Sequence, residues 1–278
     1  MYTDRFKPRR SVEKRYAAAI NRIMEGLRRR LTGASSPFQM LQVLRGFARS
    51  PTLDKEAREA AGSMATSLFH DGARSWREAA RRGSRGRAIY LLLKKERANR
   101  SEISAIVEQN SKLIKSMTSR VASKVAHEMD KGQMEGKRPE ELMHQVLARW
   151  PQLTRAHALL IARTESSKAT TALTRVRAES AGLSWYVWKT SKDARVRSSH
   201  SHMDGVICSW KDPPSPEKLL HQKDYGHYAP GEIFNCRCYP APLLDYEDVS
   251  WPHKVYMNGR IRMMTLAAFK KLNGGGSL

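Results

Sequence analysis

The chain has 278 residues, enough for one large or two modest domains. Its formal charge of +23 exceeds what an ordinary globular surface carries and calls for a polyanionic partner, nucleic acid above all, or an acidic protein face. No run of 18 apolar residues exists and the first sixteen residues have no apolar core, so the sequence predicts neither a membrane span nor a signal peptide.

Residues 1–50 carry twelve Lys and Arg against three Asp and Glu. Within them Val12, Tyr16, Ile20, Ile23, Leu27 and Leu31 recur at helical spacing, which predicts one apolar stripe. Arg15, Arg22, Arg28, Arg29 and Arg30 then fall on the other faces of that helix. They are the candidate nucleic-acid or partner contacts. Ser11 is a candidate N-cap and Gly33 a candidate stop.

Ser36-Pro37 and Ser50-Pro51 each read as an N-cap followed by proline at the first helical position. They predict short helices to about Ala48 and about Phe69. The run from Gly83 to Gly86 reads as a break. From Ser101, the residues Ile103, Ile106, Val107, Leu113, Ile114, Met117, Val121 and Val125 trace one face of a long helix. Asn110 interrupts that face, so the expectation is an amide hydrogen-bonded within the core.

Gly132 and Gly136 read as a turn, Pro139 as a helix start and Pro151 as its end. Thr154 reads as the cap of a further helix to about Ser180, with Gly182 as its stop. Arg163 and Glu165 flank Thr164, so they cannot share one helix face, and each is expected to pair outside its helix.

After Gly182 the period changes to two. SWYVWKT and GVICSW read as strands, IFNCRCYPAP as a third ended by Pro240, and Asn258-Gly259 as a two-residue hairpin turn. The fold class expected is α+β: a mostly helical N-terminal two-thirds and a small C-terminal α+β unit of short antiparallel strands. The tail 274–277 reads as flexible.

All three cysteines fall within that unit, beside His200 and His202. An odd cysteine count argues against a disulfide framework and for metal binding or free thiols in a reducing compartment. Thiolate and imidazole suit zinc, which takes four ligands in tetrahedral array. The set expected is His200, Cys208, Cys236 and Cys238, with His202 as substitute. On a regular strand Cys236 and Cys238 would face the same way. The alternative is a group of buried reduced thiols acting as small apolar residues. A zinc ion with all four positions filled by protein is closed and structural, so the expectation is not an enzyme. A nuclease built on His200, His202, Asp204, Arg195, Arg197 and His227 is the competing reading, and a plain DNA-binding protein a third.

The run from about Ser101 to Leu244 resembles the phage head-morphogenesis family, the Mu F-like minor head proteins of tailed phages. The features that carry it come in order: EQNSKLIKSM, the Gly132 and Gly136 turns, EELMHQVLARW, IARTE, AGLSWYVWKTSKDARVRSSH, Asp204-Gly205, Pro230-Gly231 and NCRC. The motif maps to Arg163, Glu165, His200, Asp204, Gly205, Cys236 and Cys238. Cys208 lies outside it. The resemblance implies a low-copy virion protein inside the head near the portal, present in the host cytoplasm during assembly. Portal protein, packaged double-stranded DNA and a major capsid or scaffold protein are the partners implied, with no membrane. The organisation expected is a basic helical arm over 1–100, a head-morphogenesis domain over 101–244, and a hairpin with its tail over 245–278.

Overall fold

The computed structural model describes residues 5–81, 86–95 and 100–272. The expected break at Gly83 and the tail 274–277 lie outside these residues. Among them the helices are α1 (Arg10–Leu31), α2 (Pro37–Ala48), α3 (Pro51–Ala80), α4 (Gly86–Lys95), α5 (Arg100–Met134), α6 (Pro139–Ser180), α7 (Ser198–His202) and α8 (Leu266–Leu272). The strands are β1 (Trp185–Lys189), β2 (Ile207–Ser209), β3 (Tyr239–Pro242), β4 (His253–Met257) and β5 (Arg260–Met264). The fold is α+β, as the sequence predicts. No helix of the described residues is long and apolar enough to cross a membrane.

The contacts divide the chain into two interleaved units. One holds 10–66 and 100–165; the other holds 1–9, 67–99 and 166–278. One boundary falls at 99/100; two others fall inside α3 and α6, because each of these helices contributes to both units, so segments distant in sequence share a core.

The first unit is helical. Val12, Tyr16, Ile20, Ile23, Leu27 and Leu31 are all buried, which is the stripe their spacing predicts. Asn110 is 2% exposed; its Oδ1 accepts from Tyr16 Oη at 2.9 Å and its Nδ2 donates to the Ile106 carbonyl at 2.8 Å. Arg163 Nε reaches Glu13 Oε1 on α1 at 3.1 Å, and Glu165 Oε2 accepts from Gln109 on α5 at 3.4 Å. Both charges thus pair away from their own helix, as expected. Ser36 Oγ and Ser50 Oγ accept from the amides of Gln39 and Leu53, the two caps read from the sequence.

Two helix boundaries differ. α3 runs eleven residues beyond Phe69, and α6 continues through Pro151. Interior proline costs a helix about 3 kcal/mol, because it removes one hydrogen bond and crowds the preceding turn. Here Val146 and Trp150 before it, and Ala158, Ile161 and Ala162 after it, are all buried. Burial of that face offsets the cost. Trp150 Nε1 also donates to the Met24 carbonyl at 3.2 Å. Thr154 caps nothing; its hydroxyl donates back to the Trp150 carbonyl at 2.9 Å.

The second unit is built on a five-stranded sheet in the order β3-β1-β2-β4-β5. It is mixed rather than purely antiparallel: β2 and β4 run parallel, pairing Ile207 with Val255. The hairpin β4–β5 therefore belongs to the same sheet and not to a separate C-terminal part. Asn258 and Gly259 both have positive φ, 51° and 76°, as a tight hairpin turn requires. Pro240 does not end β3 but sits within it, which is tolerated because β3 is an edge strand. In β1 Trp185, Tyr186, Val187 and Trp188 are all buried, so both faces of this strand are covered.

A buried histidine and two cysteines

Three chain segments deliver the site. Helix α7 carries His200, the loop before β3 carries Cys236 and Cys238, and the link after β2 supplies Glu217 and Tyr228. His200 Nδ1 lies 3.5 Å from Cys236 Sγ and 3.4 Å from Cys238 Sγ. Each of the three side chains is 2% exposed. This is the one group of metal-grade donors that converges among the described residues.

Cys236 and Cys238 sit in the irregular segment just short of β3, not on a regular strand. Asn235 before them has φ of +55°, which turns the chain so that both sulfurs face His200. The Cys238 amide also donates to Cys236 Sγ at 3.4 Å. Gly231 fixes the loop from the other side. Its φ is +95°, and a Cβ there would lie 2.6 Å from Thr171 Oγ1 and 3.1 Å from the Cys238 carbonyl. Thr171 Oγ1 donates to the Pro230 carbonyl at 2.7 Å, so α6 holds the Pro-Gly corner.

The far nitrogen of His200 decides what the near one can do. Nε2 lies 3.0 Å from Tyr228 Oη, and Tyr228 Oη is 2.8 Å from both carboxylate oxygens of Glu217. Glu217 Oε1 accepts from Ser199 Oγ at 3.0 Å. The phenol's single proton goes to the carboxylate, so the phenol oxygen accepts from Nε2–H. That assignment, made from the network, leaves Nδ1 with a lone pair aimed at the sulfurs.

The hydrogen bond donated by Cys238 pulls the Cys236 thiol down to about 4, against burial. Cys238, donating to its neighbour and buried, is pushed far up. Burial first and Glu217 second push the Tyr228 phenol well up, keeping its proton for the carboxylate. One thiolate, one thiol and one imidazole lone pair form a soft donor set of the kind zinc takes. They fit that metal, and its binding would release the Cys238 proton.

Cys208 is not in the cluster. It is fully buried on β2, its Sγ 3.7 Å from the Val206 carbonyl, and burial raises its thiol well above the ordinary range. Across the β1–β2 pairing it stands opposite Tyr186. It behaves as a small apolar core residue. The expected four-ligand set is thereby corrected to three. The inference from a fully protein-filled site to a closed one loses its premise, although burial of all three donors still shuts the cluster off from solvent.

The remaining residues singled out in the sequence have other partners. His202 is exposed at the end of α7, and His227 Nδ1 faces the Pro213 carbonyl at 2.8 Å. Arg197 donates to the Phe234 carbonyl at 3.0 Å, and Arg195 is exposed. Asp204 Oδ1 accepts from the amide and hydroxyl of Thr190, at 2.8 and 3.1 Å. Gly205, at φ +83°, donates to Trp188 and accepts from His253 Nε2 at 2.7 Å. Asp204-Gly205 thus ties the end of β1 to the turn that leads into β2. Glu217, Tyr228 and Ser199 were not legible as site residues: they lie in the Pro-rich link and beside the histidine, with no local pattern to mark them. Arg15, Arg22, Arg29 and Arg30 are exposed on α1; Arg28 is half-buried and 3.6 Å from Glu25.

The described residues form a helix-rich α+β fold with three soft donors buried together in one core. Residues 123–240, a stretch that holds all three donors, match the family described as Phage Mu protein F like protein. An uncharacterized protein of Haemophilus influenzae is 36% identical over 144 residues. That match covers 52% of this chain and 30% of the relative, so the chain spans under a third of the length of the curated relative it matches. No solved structure matches the chain.

Proposed function

We propose that this protein is a minor head protein carried in the virion at the portal vertex, inside the capsid. There it meets portal protein and packaged DNA and assists head assembly or genome delivery. The observation that carries the reading is the Mu F-like match over 123–240. The exposed cations Arg15, Arg22, Arg29 and Arg30 on α1 support a polyanion contact, as does the charge of +23. A major capsid or scaffold protein is the further partner, and no membrane is involved.

His200, Cys236 and Cys238 would hold a zinc ion, with Tyr228 and Glu217 orienting the imidazole. The ion would serve as a cross-link between α7 and the β3 loop. The protein acts by binding, not by catalysis: each donor is 2% exposed, which leaves a substrate no approach to the cluster.

The test is fractionation of virions and procapsids, followed by cross-linking to the portal. Presence in both at low copy with a portal cross-link is the expected result. Absence from both particles overturns the reading.

A further inference from the structure

In the second unit a recess of about 220 Å3 opens between the segment 5–9, the C-terminal half of α3 and α6. Five cationic side chains line it, Arg5, Lys7, Arg9, Arg74 and Arg177, against the carboxylates of Asp71 and Glu78. Asp71 Oδ1 is engaged by Arg74 at 2.9 Å and Arg9 at 3.7 Å. Arg177 is 5% exposed; it donates to the Phe69 carbonyl at 3.0 Å, and its guanidinium stacks 4.6 Å over the Phe69 ring. Gly72 makes room for it, because a Cβ there would collide with Arg177 Nη1.

A second observation concerns a residue of the same lining. Trp76 lines it, is 1% exposed, and its indole N–H has no hydrogen-bond partner among the described residues. Phe6 packs edge-on against this ring at 5.5 Å and pins the 5–9 segment over it. A buried donor left without an acceptor costs about 1–3 kcal/mol, and native folds rarely tolerate one without a reason. A water would satisfy the indole but leave the surplus positive charge. An oxyanion does both.

We propose that the recess between segment 5–9, α3 and α6 binds a phosphate-type oxyanion, free or as a phosphodiester of a nucleic-acid backbone. One oxygen accepts from Trp76 Nε1, and the others face the guanidinium groups. Tetrahedral oxyanions suit donors that arrive from several directions, and guanidinium groups meet them with paired N–H bonds. The site is separate from α1 and from the His–Cys–Cys cluster, and it stands whether or not the portal reading does.

The experiment uses the full chain in phosphate-free buffer, titrated with inorganic phosphate against chloride at matched ionic strength. Thermal shift and calorimetry are the readouts. Wild type is expected to gain Tm with phosphate. Trp76→Phe, which keeps a ring but removes the N–H, and Arg74→Gln should each weaken binding about tenfold, as loss of one hydrogen bond to a charged group predicts. A short duplex that displaces phosphate assigns the site to a nucleic-acid backbone; phosphate binding without displacement assigns it to the free anion. No phosphate response in wild type overturns the proposal. So does an undiminished response in Arg74→Gln, whose half-exposed side chain makes that variant safe for folding even if Trp76→Phe is not.

Discussion

Tyr228 holds His200 by the nitrogen that faces away from the cysteines, with Oη 3.0 Å from Nε2. The consequence is directional. A hydrogen bond on the far side of the ring sets which lone pair the near side presents, and Glu217 fixes the phenol that sets it.

Removing the phenol hydroxyl should therefore be felt at the cysteines. Tyr228→Phe is expected to weaken zinc affinity by roughly 10-fold or more. It should also cost about 1–3 kcal/mol of stability, because Glu217 loses its main donor while buried. Competition against a chelator measures the first and urea denaturation the second. Unchanged zinc affinity would show that the ring needs no such partner.

The three-donor set makes a sharp distinction among the cysteines. His200→Ala, Cys236→Ser and Cys238→Ser should each abolish bound zinc, while Cys208→Ala keeps it, since Cys208 faces the β1–β2 core. Elemental analysis of purified variants reads this directly. Loss of zinc in Cys208→Ala equal to that in Cys238→Ser would refute the assignment.

Gly231 is where backbone conformation and site meet. Gly231→Ala has to adopt φ near +95° and also displace Thr171 Oγ1 and the Cys238 carbonyl. We expect a loss of about 1–3 kcal/mol from the strained conformation alone, with zinc affinity falling in parallel. Gly182→Ala, also at positive φ but with open space around its Cβ position, should lose stability without losing zinc. If the two variants behave alike in metal binding, the corner does not position the loop.

Asp248 carries a pH signature. Burial raises its carboxyl from 3.8 to about 6, against the amides of Asp245 and Leu244, which favour the charged form. The folded chain thus holds this proton more tightly than the unfolded one. Its contribution to stability is complete below about pH 4 and is lost as pH rises through 6. Relative to wild type, Asp248→Asn should gain stability as pH rises from about 4 to 6 and no further above it. Thermal melts across that range check it, and a constant offset between the two proteins would contradict it.

Much of this was legible in the sequence because it is local. The stripe from Val12 to Leu31 is buried because its period matches a helix, and Asn258-Gly259 turns because two positive φ values suit those residues. Asn110 stood out as a polar residue on an apolar face, and it found Tyr16. Pro151 misled for the same reason that local rules work: its intrinsic cost is real, but burial on both sides outweighed it.

The chain's own order of residues determined the helices, the hairpin, the strong positive charge and the gathering of three cysteines and a histidine into one short stretch. It did not determine which cysteine would stand apart. Cys208 and Cys238 have equal claims as thiols; only the pairing of β2 against β1 turns one into the core, and only the bend at Asn235 turns the other toward His200. Donor convergence depends on where distant segments cross, and that crossing is fixed by the packing of the whole unit rather than by any neighbouring residue.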